Sequence, residues 1–219
     1  MRRHEPPGAS TWWTTLPLTI VTAARPVSTR PAKGVLRLFE QNAAGSTVQR
    51  AVTSSTTTSA GAPGLSERQI WAVALAAAAA SRNPSFSLRL QALAARHLDA
   101  AHVSAAHAAA SIMAMNNVYY RFLHLVEDAE YAKLPARLRM NVIGSPGIAR
   151  ADFELLALAV SAINGCGTCV ASHERQLRQH GLEREAVQSA VRIAATVHAV
   201  ARVLESVSGE KPLGASQAA

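Results

Sequence analysis

Cys166 and Cys169 are the only cysteines in the chain; they stand two residues apart, and His173 follows four residues after the second. A CxxC closes too small a loop to staple a fold of 219 residues, because the stabilisation from a crosslink grows with loop length. The value of this pair is therefore chemical. A structural zinc would want four ligands, and only Cys166, Cys169 and a nearby histidine are at hand. A dithiol that cycles in a reducing compartment is the simpler reading. The thiolate is the nucleophile, and a helix N-terminus favours it through free N–H groups and a partial positive charge. Across such a helix start the second sulfur can resolve an oxidised first one. The bland reading is two small buried hydrophobes, which the glycine-flanked setting Asn164-Gly165-Cys166-Gly167-Thr168-Cys169 fits poorly.

If a helix begins at Gly167 or Thr168, residues 169 and 173 project from one face. A neutral His173 imidazole could then take the thiol proton; a lone histidine on a helix is otherwise structural or solvated. Glu154 sits among Phe153, Leu155 and Leu156, and a buried carboxylate without a partner is costly. Pairing with His173 across the Asn164-Gly165 turn would relieve that cost and orient the ring. The competing reading is a capping glutamate in the first turn of its helix. His102, His107, His124, His180 and His198 have no comparable setting, and Met113 and Met115 with Tyr119 and Tyr120 suit a core or subunit contact better than a cofactor box.

Helices must position these residues. Ser66 before Glu67-Arg68-Gln69 reads as an N-cap for a helix over residues 67–81, broken by Asn83-Pro84. Further helices are expected over 85–100 and 104–114, with an interruption at Met115-Asn116-Asn117 and a resumption over 118–127. Leu134-Pro135 should start a short helix that stops before the turn Gly144-Ser145-Pro146-Gly147. A nearly wholly apolar helix opens at Ala151 or Asp152, closes at Asn164-Gly165 and should be central. The CxxC helix runs to about residue 180, and a last long helix spans 183–207. No segment after residue 64 alternates with period two, and aromatic residues are only 5 %, so the fold class is all-α with an Ala, Val, Leu and Ile core.

The formal charge of +8 would suit a nucleic-acid binder, but its distribution does not. Residues 1–62 hold seven of the 22 basic residues and two of the 14 acidic ones, and no Lys/Arg-rich run follows. That segment is rich in Thr, Ser, Pro, Ala and Arg without helical or strand period, and is expected to be a disordered or loosely attached extension. Its stretch over 16–24 only weakly imitates an export signal, being broken by Pro17 and threonines. Residues 63–209 form the helical domain and 210–219 a frayed tail. No uninterrupted apolar run has the length of a membrane span.

The run Phe153-Glu154-Leu155, the stretch Ser161-Ala162-Ile163-Asn164-Gly165-Cys166-x-x-Cys169, Ala171 and His173-Glu174 together resemble the AhpD alkyl hydroperoxidases of the carboxymuconolactone decarboxylase-like superfamily. Residues 111–121, 138–143 and 145–148 match as well, so the resemblance covers about residues 64–207. It implies an AhpD-like helical bundle with the CxxC at a helix N-terminus, usually assembled as a homotrimer. It also implies a cytoplasmic peroxidase with no bound cofactor or metal. Its dithiol would be re-reduced by dihydrolipoamide on the dihydrolipoyl succinyltransferase of a 2-oxo acid dehydrogenase complex, with lipoamide dehydrogenase drawing electrons from NADH. Reduction of the peroxiredoxin AhpC is implied too. Carried over by position, Cys169 attacks the peroxide, Cys166 donates a proton and closes the disulfide, and His173 with Glu154 forms the proton relay. Two features depart from the family: Thr168 stands where histidine is frequent, and residues 1–62 show no amphipathic N-terminal helix. A thiol–disulfide adaptor with little peroxidase activity, and a helical binding protein with inert cysteines, are the competing readings.

Overall fold

The computed structural model describes residues 62–208. The extension expected over 1–62, apart from its last residue, and the tail expected from 210 lie outside that span. The described residues form eight helices and no strand: α1 (Glu67–Ala80), α2 (Pro84–Ala94), α3 (Ala100–Leu125), α4 (Ala129–Lys133), α5 (Asn141–Gly144), α6 (Arg150–Ile163), α7 (Gly167–Gln179) and α8 (Arg184–Ser208). The all-α expectation holds.

Ser66 starts α1 as a reciprocal cap: Gln69 N–H donates to Ser66 Oγ at 3.3 Å, and Ser66 N–H donates to Gln69 Oε1 at 2.8 Å. Nine consecutive residues of α1, Ile70 to Ala78, are buried, as are nine of α6, Phe153 to Ser161. A helix apolar all round must lie inside. The two pack on each other and both pack on α3 and α8. So α6 is central as expected, and shares the centre with α1. Alanines at 72, 74, 76, 77 and 78 let neighbours approach the α1 backbone, while Phe86, Phe153, Leu75 and Leu156 supply bulk. Asn83 caps α2 by accepting from Phe86 N–H at 3.1 Å, and its amide nitrogen donates to the Ala201 carbonyl at 3.2 Å, tying the α1–α2 turn to α8.

Three expectations about the chain path need correction. The second helix ends at Ala94 rather than residue 100, because Asp99 instead caps α3, accepting from His102 N–H at 3.0 Å. The break expected at Met115-Asn116-Asn117 does not occur: α3 runs unbroken for 26 residues. Asparagine is a poor helix former, but Asn117 gains tertiary partners that outweigh a propensity cost of about 0.5 kcal/mol. Finally, no helix starts at Leu134-Pro135. Leu134 is extended (φ −77°, ψ 139°) and ends α4, as the ring of the following proline favours. The short helices there are α4, just before it, and the four-residue α5.

Candidate functional site

The bend between α6 and α7 contains almost no loop. Asn164 ends α6, and Gly165 follows with φ +69°, a left-handed conformation that glycine adopts without penalty. Cys166 N–H then donates to the Ser161 carbonyl at 3.1 Å and Gly165 N–H to the Ala162 carbonyl at 3.2 Å. These two bonds close the end of α6 in the manner of a Schellman motif. Cys166 is at once the residue that completes this cap and the N-cap of α7, where its Sγ accepts from Cys169 N–H at 3.4 Å. A sulfur thus takes the place normally given to a serine or aspartate oxygen. Cys169 lies one turn in, and the two cysteines are joined as a disulfide with Cα atoms 5.3 Å apart.

Three side chains hold this bend from behind. Asn117 Nδ2 donates to Ser161 Oγ at 2.9 Å, Asn164 Nδ2 donates to Asn117 Oδ1 at 2.9 Å, and the Arg121 guanidinium donates to the Asn164 carbonyl at 2.7 Å. Reading Asn116-Asn117 as a helix break misses this role. The usable signal is their register: 102, 105, 106, 109, 113, 116 and 117 are all buried on one stripe of α3.

Glu154 and His173 come together as the spacing suggests. His173 Nδ1 and Glu154 Oε2 are 2.7 Å apart, with side-chain exposures of 12 % and 3 %. Glu154 is the fifth residue of α6 and buried, so the capping reading does not apply. Burial by itself would push its carboxyl up. The hydrogen bond and charge of His173, together with the Arg150 guanidinium 3.4 Å from Oε1, outweigh that and hold it below the usual glutamate range. An ionised carboxylate only accepts, so Nδ1 donates to it and Nε2 is the ring atom left to act. Nε2 lies 3.3 Å from Met113 Sδ. Arg150 has no place in the sequence reading, although its i,i+4 spacing to Glu154 is available there. Met113 is buried as a core residue, yet it also touches the histidine.

Cys169, His173 and Glu154 open onto one pocket of about 360 Å³, walled by Met113, Tyr120, Met140 and Ile143. Cys169 is 6 % exposed and reaches this pocket, whereas Cys166 is fully buried behind it. The arrangement can present one sulfur to a small, partly apolar molecule, with an oriented imidazole alongside and a second sulfur in bonding position. His102, His107 and His198 are engaged elsewhere, with Asp99, Gln91 and Ser81. Among the described residues, no group of three or more His, Cys, Asp or Glu side chains could hold a metal ion, and no helix is long and apolar enough to cross a membrane.

The profile of the carboxymuconolactone decarboxylase family matches residues 129–208. Among curated proteins, the chain is 54 % identical over 150 residues to a protein of Rhodospirillum centenum, covering 68 % of this chain and 78 % of that one. It is 49 % identical over 151 residues to a Bradyrhizobium protein, covering 69 % and 83 % of the two chains. A Frankia alni protein is 50 % identical over 155 residues, covering 69 % and 84 %. All three relatives carry the name alkyl hydroperoxide reductase AhpD.

Proposed function

Because this chain belongs to the AhpD proteins of the carboxymuconolactone decarboxylase family, we propose that it is an antioxidant alkyl hydroperoxide reductase that works through Cys166 and Cys169. The observation that carries the reading is the meeting of Cys169, His173 and Glu154 on one pocket with Cys166 bonded behind. In the reduced protein, the Cys169 thiolate at the start of α7 attacks the terminal oxygen of a hydroperoxide. An S–O bond forms and the O–O bond breaks. The terminal oxygen leaves with its proton as part of Cys169 sulfenic acid, and the alkoxide takes a proton from the site to become an alcohol. Cys166 then attacks the sulfenic sulfur, water departs, and the disulfide seen in the structure results. His173 moves the proton through Nε2, while Glu154 fixes the ring from the other side.

The electrons that reset the disulfide come from dihydrolipoamide carried by dihydrolipoyl succinyltransferase, and ultimately from NADH through lipoamide dehydrogenase. AhpC is the second disulfide-exchange partner. A dithiol that must be re-reduced every turnover belongs in the reducing cytoplasm. Supplied with dihydrolipoamide and tert-butyl hydroperoxide, the protein should consume peroxide through many turnovers. Peroxide loss no faster than without protein would reject the reading. Reduction of a partner disulfide without peroxide loss would instead favour a thiol–disulfide adaptor.

The working assembly is a homotrimer. Val118, Phe122 and Leu125 stand on one face at the end of α3, exposed by 60 %, 44 % and 68 %, and the exposed Tyr131 ring packs edge-on against Phe122. A contiguous apolar patch of this kind calls for a protein partner, and repeated copies of the chain around a three-fold axis supply one. Sedimentation equilibrium should return three times the subunit mass for the parent and a single subunit mass for a Phe122→Glu, Leu125→Glu double variant. A monomeric parent would refute the assembly.

A further inference from the structure

Asn116 and Asn117 are neighbours on α3, both buried, and they differ in one respect. Asn117 uses both ends of its amide on Ser161 and Asn164. Asn116, only 5 % exposed, leaves its Oδ1 buried without a hydrogen-bond partner. It is the only such side-chain oxygen or nitrogen among the described residues. A buried amide oxygen left unpaired is costly, and an apolar residue of similar size would remove that cost. The position lies on the core-facing stripe of α3, where the pattern would accept leucine. Yet Asn116 lines the same pocket as Cys169 and His173, one helical turn from both Met113 and Tyr120. The charged side chains there are taken up with one another: Glu154 is held by His173 and Arg150.

We infer that Asn116 is a substrate-positioning residue whose carboxamide oxygen accepts the O–H of the hydroperoxide. This rests on the peroxidase reading above. A hydroperoxide has one hydrogen-bond donor, on the terminal oxygen that Cys169 attacks. An acceptor fixed on α3 holds that oxygen against the sulfur of α7, while Met113, Met140 and Ile143 take the organic part. The same proton stays on the same oxygen when the sulfenic acid forms. The bond therefore persists through the step, with no proton delivered to or taken from Asn116.

The test compares the reduced parent with Asn116→Leu and, as a smaller change, Asn116→Ala. Rapid mixing with tert-butyl hydroperoxide should show thiol oxidation slowed by about tenfold or more in both, the loss of one positioning hydrogen bond. Iodoacetamide alkylation of Cys169 and reduction of the disulfide by dihydrolipoamide should keep parent rates. The melting temperature of Asn116→Leu should equal or exceed the parent value, because an unpaired polar group has been removed. Unchanged oxidation rates in an active parent overturn the assignment. So does a slowed reaction accompanied by a lowered melting temperature or by equally slowed alkylation, since either marks a structural role. Slower reduction by dihydrolipoamide with normal peroxide attack overturns it too. A parent that does not react with peroxide at all would instead bring down the peroxidase reading itself.

Discussion

Cys169→Ser is expected to lose peroxide turnover to the background rate, a fall of about 10⁴-fold or more, as removal of a nucleophile does elsewhere. The hydroxyl of serine is far less nucleophilic than a thiolate and cannot be carried to a disulfide. Cys166→Ser should behave differently. Cys169 still meets the pocket, so one equivalent of peroxide is consumed and Cys169 sulfenic acid accumulates, with no second turnover. Mass spectrometry after dimedone trapping should place the adduct on Cys169. Because serine is a preferred N-cap, the hydroxyl introduced by Cys166→Ser can accept from the Cys169 N–H in place of the sulfur, and the variant should melt close to the parent. A dimedone adduct on Cys166 in the Cys169→Ser protein, formed at the parent rate of sulfenic acid formation, would reverse the two assignments.

Glu154→Gln should cut kcat/KM for peroxide about 100-fold, within the range for loss of an oriented acid–base group. Glutamine keeps the size but can present its amide nitrogen to His173, which frees the ring to turn or to adopt the other tautomer. Stability should follow with a definite sign. The Glu154 carboxyl is held below its usual value in the folded protein, so the folded state binds its proton less readily than the unfolded chain does. The stabilisation is complete above the usual glutamate range. It fades as pH falls below that range and through the lower folded-state value. At neutral pH the parent should exceed the variant by about 1.5–3 kcal/mol, the worth of a hydrogen bond to a charged group. Urea denaturation of both proteins from pH 7 downward should show that gap closing. A gap that stays constant to the acid limit would mean the carboxylate is not the source.

Much of this is readable because local chemistry and global position agree. Ser66 caps α1, Asn83-Pro84 breaks the chain, Gly165 ends α6, and CxxC starts α7, each at the residue whose backbone preference demands it. The Glu154–His173 pair is legible as one of two options, because a carboxylate in an apolar run needs a partner. What escapes depends on contacts across the fold. Met115-Asn116-Asn117 looks like a stop by propensity, but Asn117 bonds to residues more than forty positions away and stays helical. Leu134-Pro135 looks like a helix start, since proline suits a first turn, yet the same ring restrains the residue before it. Arg150 becomes visible only once Glu154 is seen to face inward with its second carboxylate oxygen free for another partner.

Cys166 ends one helix and begins another, leaving no slack between α6 and α7. Adding or deleting one residue there would swing every later side chain by roughly 100° around the α7 axis. Imidazole and carboxylate would part company, and the outer sulfur would turn away from its opening. Length variation, which surface connections ordinarily tolerate, is therefore shut out at this corner. The largely exposed stretch from 126 to 149 is not tied in this way, and a change of length there would leave the distance between residues 154 and 173 undisturbed.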